Sequence, residues 1–167
     1  MGFGSVIKVV LEFTTPFWQA QLPELEFLLS DAPVPTWWGQ LTGARPLLTG
    51  WLAGPPAERL RDAPASMVLE QALASLSYLL AVPPAELAAQ LCASYVGNWS
   101  AEPYACGAYS YPTVGAEAAR ATLAAPVADT LFFAGEALYQ GAEGGTVEAA
   151  LTSGQATARI LLGHRSF

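Results

Sequence analysis

The feature that most constrains this chain lies near its end, where four apolar residues in a row, Leu131-Phe132-Phe133-Ala134, stop at Gly135-Glu136. A short, continuously apolar run reads as a strand buried on both faces, because a strand open to water on one side alternates apolar with polar residues. Past a glycine-rich turn containing Gly141, Gly144 and Gly145, residues Thr146 to Leu162 have the Ala- and Leu-rich composition of a terminal helix. Strand, glycine turn and helix together make a unit that presents backbone N–H groups to an anion.

The preceding residues read differently. Ser5 to Phe13 is a run of β-formers interrupted by Lys8 and closed by Thr14-Thr15-Pro16. Phe27 to Leu29, Trp37 to Leu41 and Leu47 to Ala53 follow as short strands, separated by the Asp31 to Pro35 turn and ended by the Gly54-Pro55-Pro56 break, so an antiparallel meander is expected. Between Ala65 and Leu80 the apolar residues Val68, Ala72, Leu76 and Leu79 recur at helical spacing with Met67 beside them. Pro83 and Pro84 end that helix, and Pro84 suits the first turn of a second one through Ala85 to Leu91. Cys92 to Val96 reads as a strand, and Gly97 to Gly115 as a long loop of the kind that carries function. The expected class is α+β: a mixed or antiparallel sheet with helices over residues 1–125, joined to a closing strand and helix over 126–167.

With 14 acidic against 7 basic residues the net charge is −7, which argues against nucleic acid, since phosphate binding needs clustered Lys and Arg. No apolar run reaches the length of a membrane span and Met1 to Lys8 does not resemble a signal peptide, so a soluble cytoplasmic protein without a membrane partner is expected. The chain is 53% hydrophobic and only 13% charged, which suggests that part of its surface meets another polypeptide. Cys92 and Cys106 are too few and too far apart for a disulfide framework or a zinc site, and both read as reduced, structural thiols; no metal is expected. His164, three residues from the end, reads as exposed rather than catalytic.

Three motifs, in matching order, resemble the flavin-containing amine oxidases, the family of monoamine oxidases, polyamine oxidases and lysine-specific histone demethylases. Gly4-Ser5-Val6-Ile7-Lys8 with Pro16-Phe17-Trp18 is similar to the strand carrying the family's active-site lysine; a lone lysine in an apolar strand is poorly solvated, which suits holding a water or assisting reoxidation by oxygen. Trp99-Ser100-Ala101-Glu102-Pro103-Tyr104 with Gly107-Ala108-Tyr109-Ser110-Tyr111 resembles the loop lining the flavin and substrate cavity. That resemblance implies that Trp99 packs against the flavin and that Tyr109 forms a wall of the amine site, where aromatic faces stabilise a cation. Leu131 to Glu136 with Gly144 to Glu148 and Ser153-Gly154 resembles the C-terminal FAD motif. It implies that Gly135 and Glu136 receive the cofactor's polar chain and that the Gly145-Thr146-Val147 backbone faces the flavin or its phosphates.

Three departures matter. Covalent members place a cysteine before the tyrosine matching Tyr109, where this chain has Ala108, so noncovalent FAD is implied. Monoamine oxidases carry a second tyrosine where this chain has Thr146, which leans toward the polyamine-oxidase or demethylase side. The Gly-x-Gly-x-x-Gly fingerprint for the ADP half is absent, since the glycines at 141, 144 and 145 have neither its spacing nor its context. The resemblance therefore implies the C-terminal part of an enzyme that oxidises an amine to an imine and reduces oxygen to hydrogen peroxide. It would be completed by a second chain carrying the N-terminal FAD-binding segment, or would self-associate. The alternative is a non-catalytic remnant acting as a binding or interaction domain.

Overall fold

A computed structural model describes residues 1–40 and 45–164, with the side chain of His164 outside that description. Along the chain lie β1 (Gly2–Phe3), β2 (Val6–Phe13), β3 (Leu28–Leu29), β4 (Thr36–Gly39), β5 (Leu47–Ala53), α1 (Pro55–Arg59), α2 (Ala65–Leu80), α3 (Pro84–Gln90), β6 (Leu91–Asn98), β7 (Ser110–Tyr111), α4 (Ala116–Ala124) and α5 (Val147–His164). Short 3-10 turns occupy Phe17–Ala20 and Glu136–Leu138. The fold is α+β, with antiparallel sheets and helices as the sequence implies. The chain gathers into two compact units, a sheet unit of Ser5–Gly107 and a helical unit of Met1–Gly4 with Ala108–Phe167; the division expected between 125 and 126 falls inside the second.

The sheet unit holds a five-stranded antiparallel sheet in the order β3-β4-β5-β2-β6. Alternation along β2 sends Ile7, Val9, Leu11 and Phe13 to one face, where Trp37, Leu48 and Leu52 join them against Val68, Ala72, Leu76 and Leu80 of α2. Each of these side chains leaves water almost completely, and burial of one of the Val, Leu, Ile or Phe side chains contributes about 1.5–3 kcal/mol before entropy is subtracted. Two polar contacts orient the helix over the sheet. Ser75 Oγ accepts the Val34 N–H at 3.0 Å while donating to the Gln71 carbonyl, and the Trp37 indole N–H donates to the Val34 carbonyl at 3.0 Å. The Trp37 ring lies so flat across its cross-strand neighbour Gly50 that a Cβ there would stand 2.8 Å from it.

The expected break at Gly54-Pro55-Pro56 is the start of α1: Gly54 takes φ +65° and the prolines fill the first helical turn, where a missing N–H costs nothing. The strand expected over Trp37 to Leu41 is Thr36–Gly39, and Leu41 lies outside the described residues. Met67 is exposed rather than part of the packed helix face. Both thiols are free and exposed, Cys92 on the edge strand β6 and Cys106 in a turn, so neither is a packed structural cysteine.

In the helical unit β1 pairs antiparallel with β7, and α4 and α5 follow. Its only fully buried apolar residues among those described are Ala116 and Ala149. The strand expected at Leu131 to Ala134 belongs to no sheet: a single bridge joins Leu131 to Val127, and Leu131 and Phe133 are 56% and 45% exposed. Among the described residues no strand lies beside it, and an apolar run becomes a buried strand only where neighbours take its hydrogen bonds and cover its faces. The segment is instead tied to α5, whose Thr157 hydroxyl donates to the Phe133 carbonyl and whose Ser153 hydroxyl accepts the Gly135 N–H.

Candidate functional site

The two units carry separate groups of the residues singled out in the sequence. On the sheet unit, the face opposite α2 is open. Lys8 projects there from β2, opposite Trp51 of β5 and Gly97 of β6. Its ammonium sits 5.9 Å from the ring centroid of Trp38 and, among the described residues, has no carboxylate partner. The side chain is exposed, so the poor solvation expected of a lysine in an apolar strand is not supplied by this unit. Farther along β2, Glu12 holds the Arg45 guanidinium through two hydrogen bonds.

Past the end of β6 the backbone turns back: the Trp99 N–H donates to the Val6 carbonyl at 3.1 Å, which keeps Trp99 beside the sheet. Its half-exposed indole borders a depression of about 470 Å³ lined also by Tyr95, Gly97, Glu102, Tyr104 and Ala105. Gly97 forms the floor between Lys8 and the Tyr95 ring, whose nearest atom would be 3.0 Å from a Cβ at that glycine. Lys8, Tyr95, Gly97 and Trp99 are thus neighbours on one aromatic-lined surface, suited to a planar ring and to a cation.

On the helical unit the remaining residues converge. The Tyr109 carbonyl accepts the Gly4 N–H at 2.7 Å, and the Gly4 carbonyl accepts the Ala108 N–H at 2.8 Å, which fixes the backbone on both sides of the tyrosine. The ring lies over Gly145, whose φ of +81° suits glycine and whose missing Cβ leaves ordinary contact, 3.6 Å, to Tyr109. Glu136 accepts three hydrogen bonds: the Ser110 N–H at 2.8 Å, the Ser110 hydroxyl at 3.0 Å and the Gly145 N–H at 3.1 Å. Gly135, at φ +153° and ψ 168°, occupies a region open essentially to glycine alone and sets the sharp turn before Glu136. Thr146 is the N-terminal cap of α5, its hydroxyl donating to the Glu143 carbonyl at 2.7 Å and accepting the Ala149 N–H at 3.1 Å. Val147 opens the helix and is exposed.

One further pair lies on the glycine turn. The Tyr139 hydroxyl donates to Glu143 at 2.6 Å, and this bond holds the Tyr139 phenol above its ordinary range and the Glu143 carboxyl below its own. Gly141 accommodates the Tyr139 ring, because a Cβ there would come within 2.2 Å of the phenol oxygen. Sequence reasoning did not single out Trp38, Tyr95 or Ser110 as site residues. Trp38 and Ser110 become significant through cross-strand placement and through a carboxylate 26 residues away, neither of which leaves a local pattern. No cluster of metal ligands occurs among the described residues, and no single described helix is long and apolar enough to cross a membrane.

The residues fit the ring end of a flavin nucleotide in part. Gly135 and Gly144 have open space where a Cβ would stand, and the first-turn N–H groups of α5 at Val147 and Glu148 have no partner within the helix, as at any helix start. Taken by itself, the sheet unit carries an open aromatic surface on which Lys8 lies. Residues of the kind that cradle a pyrophosphate and adenosine are not in the sequence.

The sequence matches the flavin containing amine oxidoreductase family over residues 1–162. Lysine-specific histone demethylase 1 homolog 3 of Arabidopsis thaliana is 32% identical over 143 residues, which is 82% of this chain and 9% of that protein. A putrescine oxidase with an alanine-to-cysteine substitution, from a structure-based redesign of its cofactor binding, superposes with a TM-score of 0.80 at 25% identity over 98% of this chain and 36% of its own. A double variant of the same oxidase gives 0.79 at 23% identity, a likeness of fold. The chain therefore spans about a third of the solved relative and less than a tenth of the curated one.

Proposed function

The chain belongs to the flavin containing amine oxidoreductase family, and from that premise we propose that it supplies the amine-side surface and the flavin-ring side of an FAD-dependent amine oxidase. When bound, FAD takes the electron pair released from the amine's α-carbon and passes it to oxygen, so that the products are an imine and hydrogen peroxide. The observation that carries the reading is the division of labour among this chain's own residues. One unit offers Lys8, Tyr95 and Trp99 on an open aromatic face. The other holds Tyr109 over Gly145 beside the capped start of α5.

In this reading Trp99 packs on the flavin ring and Lys8 orders a water or the oxygen that reoxidises it. Tyr109 forms a wall against which the substrate ammonium rests, its π face attracting the cation until deprotonation. The backbone at Gly145, Thr146 and Val147 faces the ring. Ala108, standing where covalent members have cysteine, leaves FAD bound noncovalently. The names of two relatives, a putrescine oxidase and a lysine-specific demethylase, both concern alkylamines and support an amine substrate.

The ADP half of FAD is held by a fingerprint-bearing segment on a second chain, and self-association is the other way in which the bare faces of this chain are covered. The bare faces of the helical unit, including Leu131, Phe133, Leu151 and Leu162, support this, because exposed apolar area of that extent is normally covered. The protein works in the cytoplasm, without membrane or nucleic acid. A titration of FAD into the purified protein, followed by flavin fluorescence, tests the cofactor assignment. Saturable quenching that Trp99→Ala weakens supports it; equal binding by the variant removes Trp99 from the site, and no binding at high micromolar FAD means that the cofactor needs the fingerprint-bearing partner or that the chain is a non-catalytic binding domain.

A further inference from the structure

Glu136 does more in this fold than a cofactor ligand would. Its carboxylate is met by three donors from two distant stretches, the N–H and hydroxyl of Ser110 lying 26 residues before it and the N–H of Gly145 nine residues after. Three of the roughly four acceptor sites of an ionised carboxylate are therefore occupied by the protein itself. The two stretches are also those that present Tyr109: its carbonyl is fixed by Gly4, its C-terminal neighbour is Ser110, and its ring rests on Gly145.

We propose that Glu136 is a positioning residue, a clamp that holds the Tyr109-Ser110 segment against the glycine turn before α5, and that Ser110 is its dedicated partner. The choice of residue follows from the donors. An acceptor-only carboxylate satisfies all three, whereas a glutamine turns an NH₂ group toward at least one of them, and an aspartate is one methylene too short to span both segments. Loss of the clamp separates the tyrosine from the glycine it packs on, so the amine wall and the flavin-facing turn fail together. A residue that only contacted the cofactor would affect FAD affinity alone. The consequence for catalysis rests on the reading of Tyr109 as the amine wall; the clamp itself does not.

Amide hydrogen exchange on the whole chain without FAD tests it, with the amides of Ser5–Gly107 as the internal reference for folding. The wild type should protect the Ser110 and Gly145 amides, and Glu136→Ala should raise exchange at both by about tenfold or more. Glu136→Gln should raise it less but at both positions. Ser110→Ala should loosen Ser110 and spare α5, and Ser110→Thr, which keeps the hydroxyl, should restore protection. If Glu136→Ala unfolds the helical unit, Glu136→Gln decides. Wild-type protection at both amides in that variant overturns the clamp, as does a wild type that protects neither. Weaker FAD binding by Glu136→Gln with both amides still protected would return Glu136 to the role of ligand and leave the flavin reading intact.

Discussion

Thr146 sits where the family resemblance places a flavin-facing backbone, yet its side chain works for the helix. Replacing it with valine keeps the shape and removes the hydroxyl, so two hydrogen bonds vanish: the one to the Glu143 carbonyl at 2.7 Å and the one from the Ala149 N–H at 3.1 Å. Loss of a threonine N-cap costs about 1 kcal/mol, within a range of roughly 0.5–2. The bond to Glu143 adds little because both groups are exposed to water, which replaces it. For a unit of this size about 1 kcal/mol lowers the midpoint of thermal unfolding by roughly 4–8 °C. Thermal unfolding followed by circular dichroism, together with exchange at the Ala149 amide, measures both consequences. Thr146→Ser should stay within a few tenths of a kcal/mol of wild type, because serine caps as well. The reasoning fails if Thr146→Val is as stable as wild type, with unchanged exchange at Ala149, while FAD binding weakens; the hydroxyl would then act on the cofactor and not on the helix.

Other expectations follow from single contacts. Gly50→Ala should destabilise the sheet unit by about 1–3 kcal/mol, since its Cβ would press to 2.8 Å on the buried Trp37 ring, and Trp37→Phe should recover part of that loss in a double-mutant cycle by urea denaturation. The Tyr139–Glu143 contact should hold across neutral pH. The Glu143 carboxyl is depressed, so its contribution is lost as pH falls through that lowered value. The Tyr139 phenol is raised, so its contribution is lost as pH rises through that elevated value. Ultraviolet titration should show Tyr139 ionising at lower pH in Glu143→Gln, and an unchanged titration would deny the bond. FAD should leave the protein completely on denaturation, since Ala108 offers no thiol for attachment and Cys106 lies in a turn two residues earlier; flavin retained on the polypeptide by mass would contradict this.

How much of this was legible in the sequence depended on whether a signal was local. Leu47–Ala53 and Ala65–Leu80 were read to the residue, because a β-rich run before Gly-Pro-Pro and a helical repeat before Pro-Pro are complete statements by themselves. Pro55–Arg59 was missed because prolines that usually break a helix here begin one, and Ala116–Ala124 because a loop rich in Gly, Pro and Tyr masked its Ala-rich start. Leu131 to Ala134 has the composition of a buried strand, but strandedness belongs to a pair, and among the described residues only the bridge to Val127 pairs with it. The motif residues were nameable from resemblance. The three bonds at Glu136, the capping role of Thr146 and the approach of Trp38 to Lys8 were not, since each arises only when distant segments or turn geometry come together.

Anaerobic addition of an amine to the FAD-loaded protein is the most direct test of whether these residues serve amine oxidation at a flavin. Putrescine, a simple monoamine and a lysine-containing peptide would each be added while the visible flavin absorbance is followed. At least one of them should bleach the flavin, more slowly in Tyr109→Ala, and oxygen should restore the colour with release of peroxide. Bound flavin that no amine reduces would contradict it.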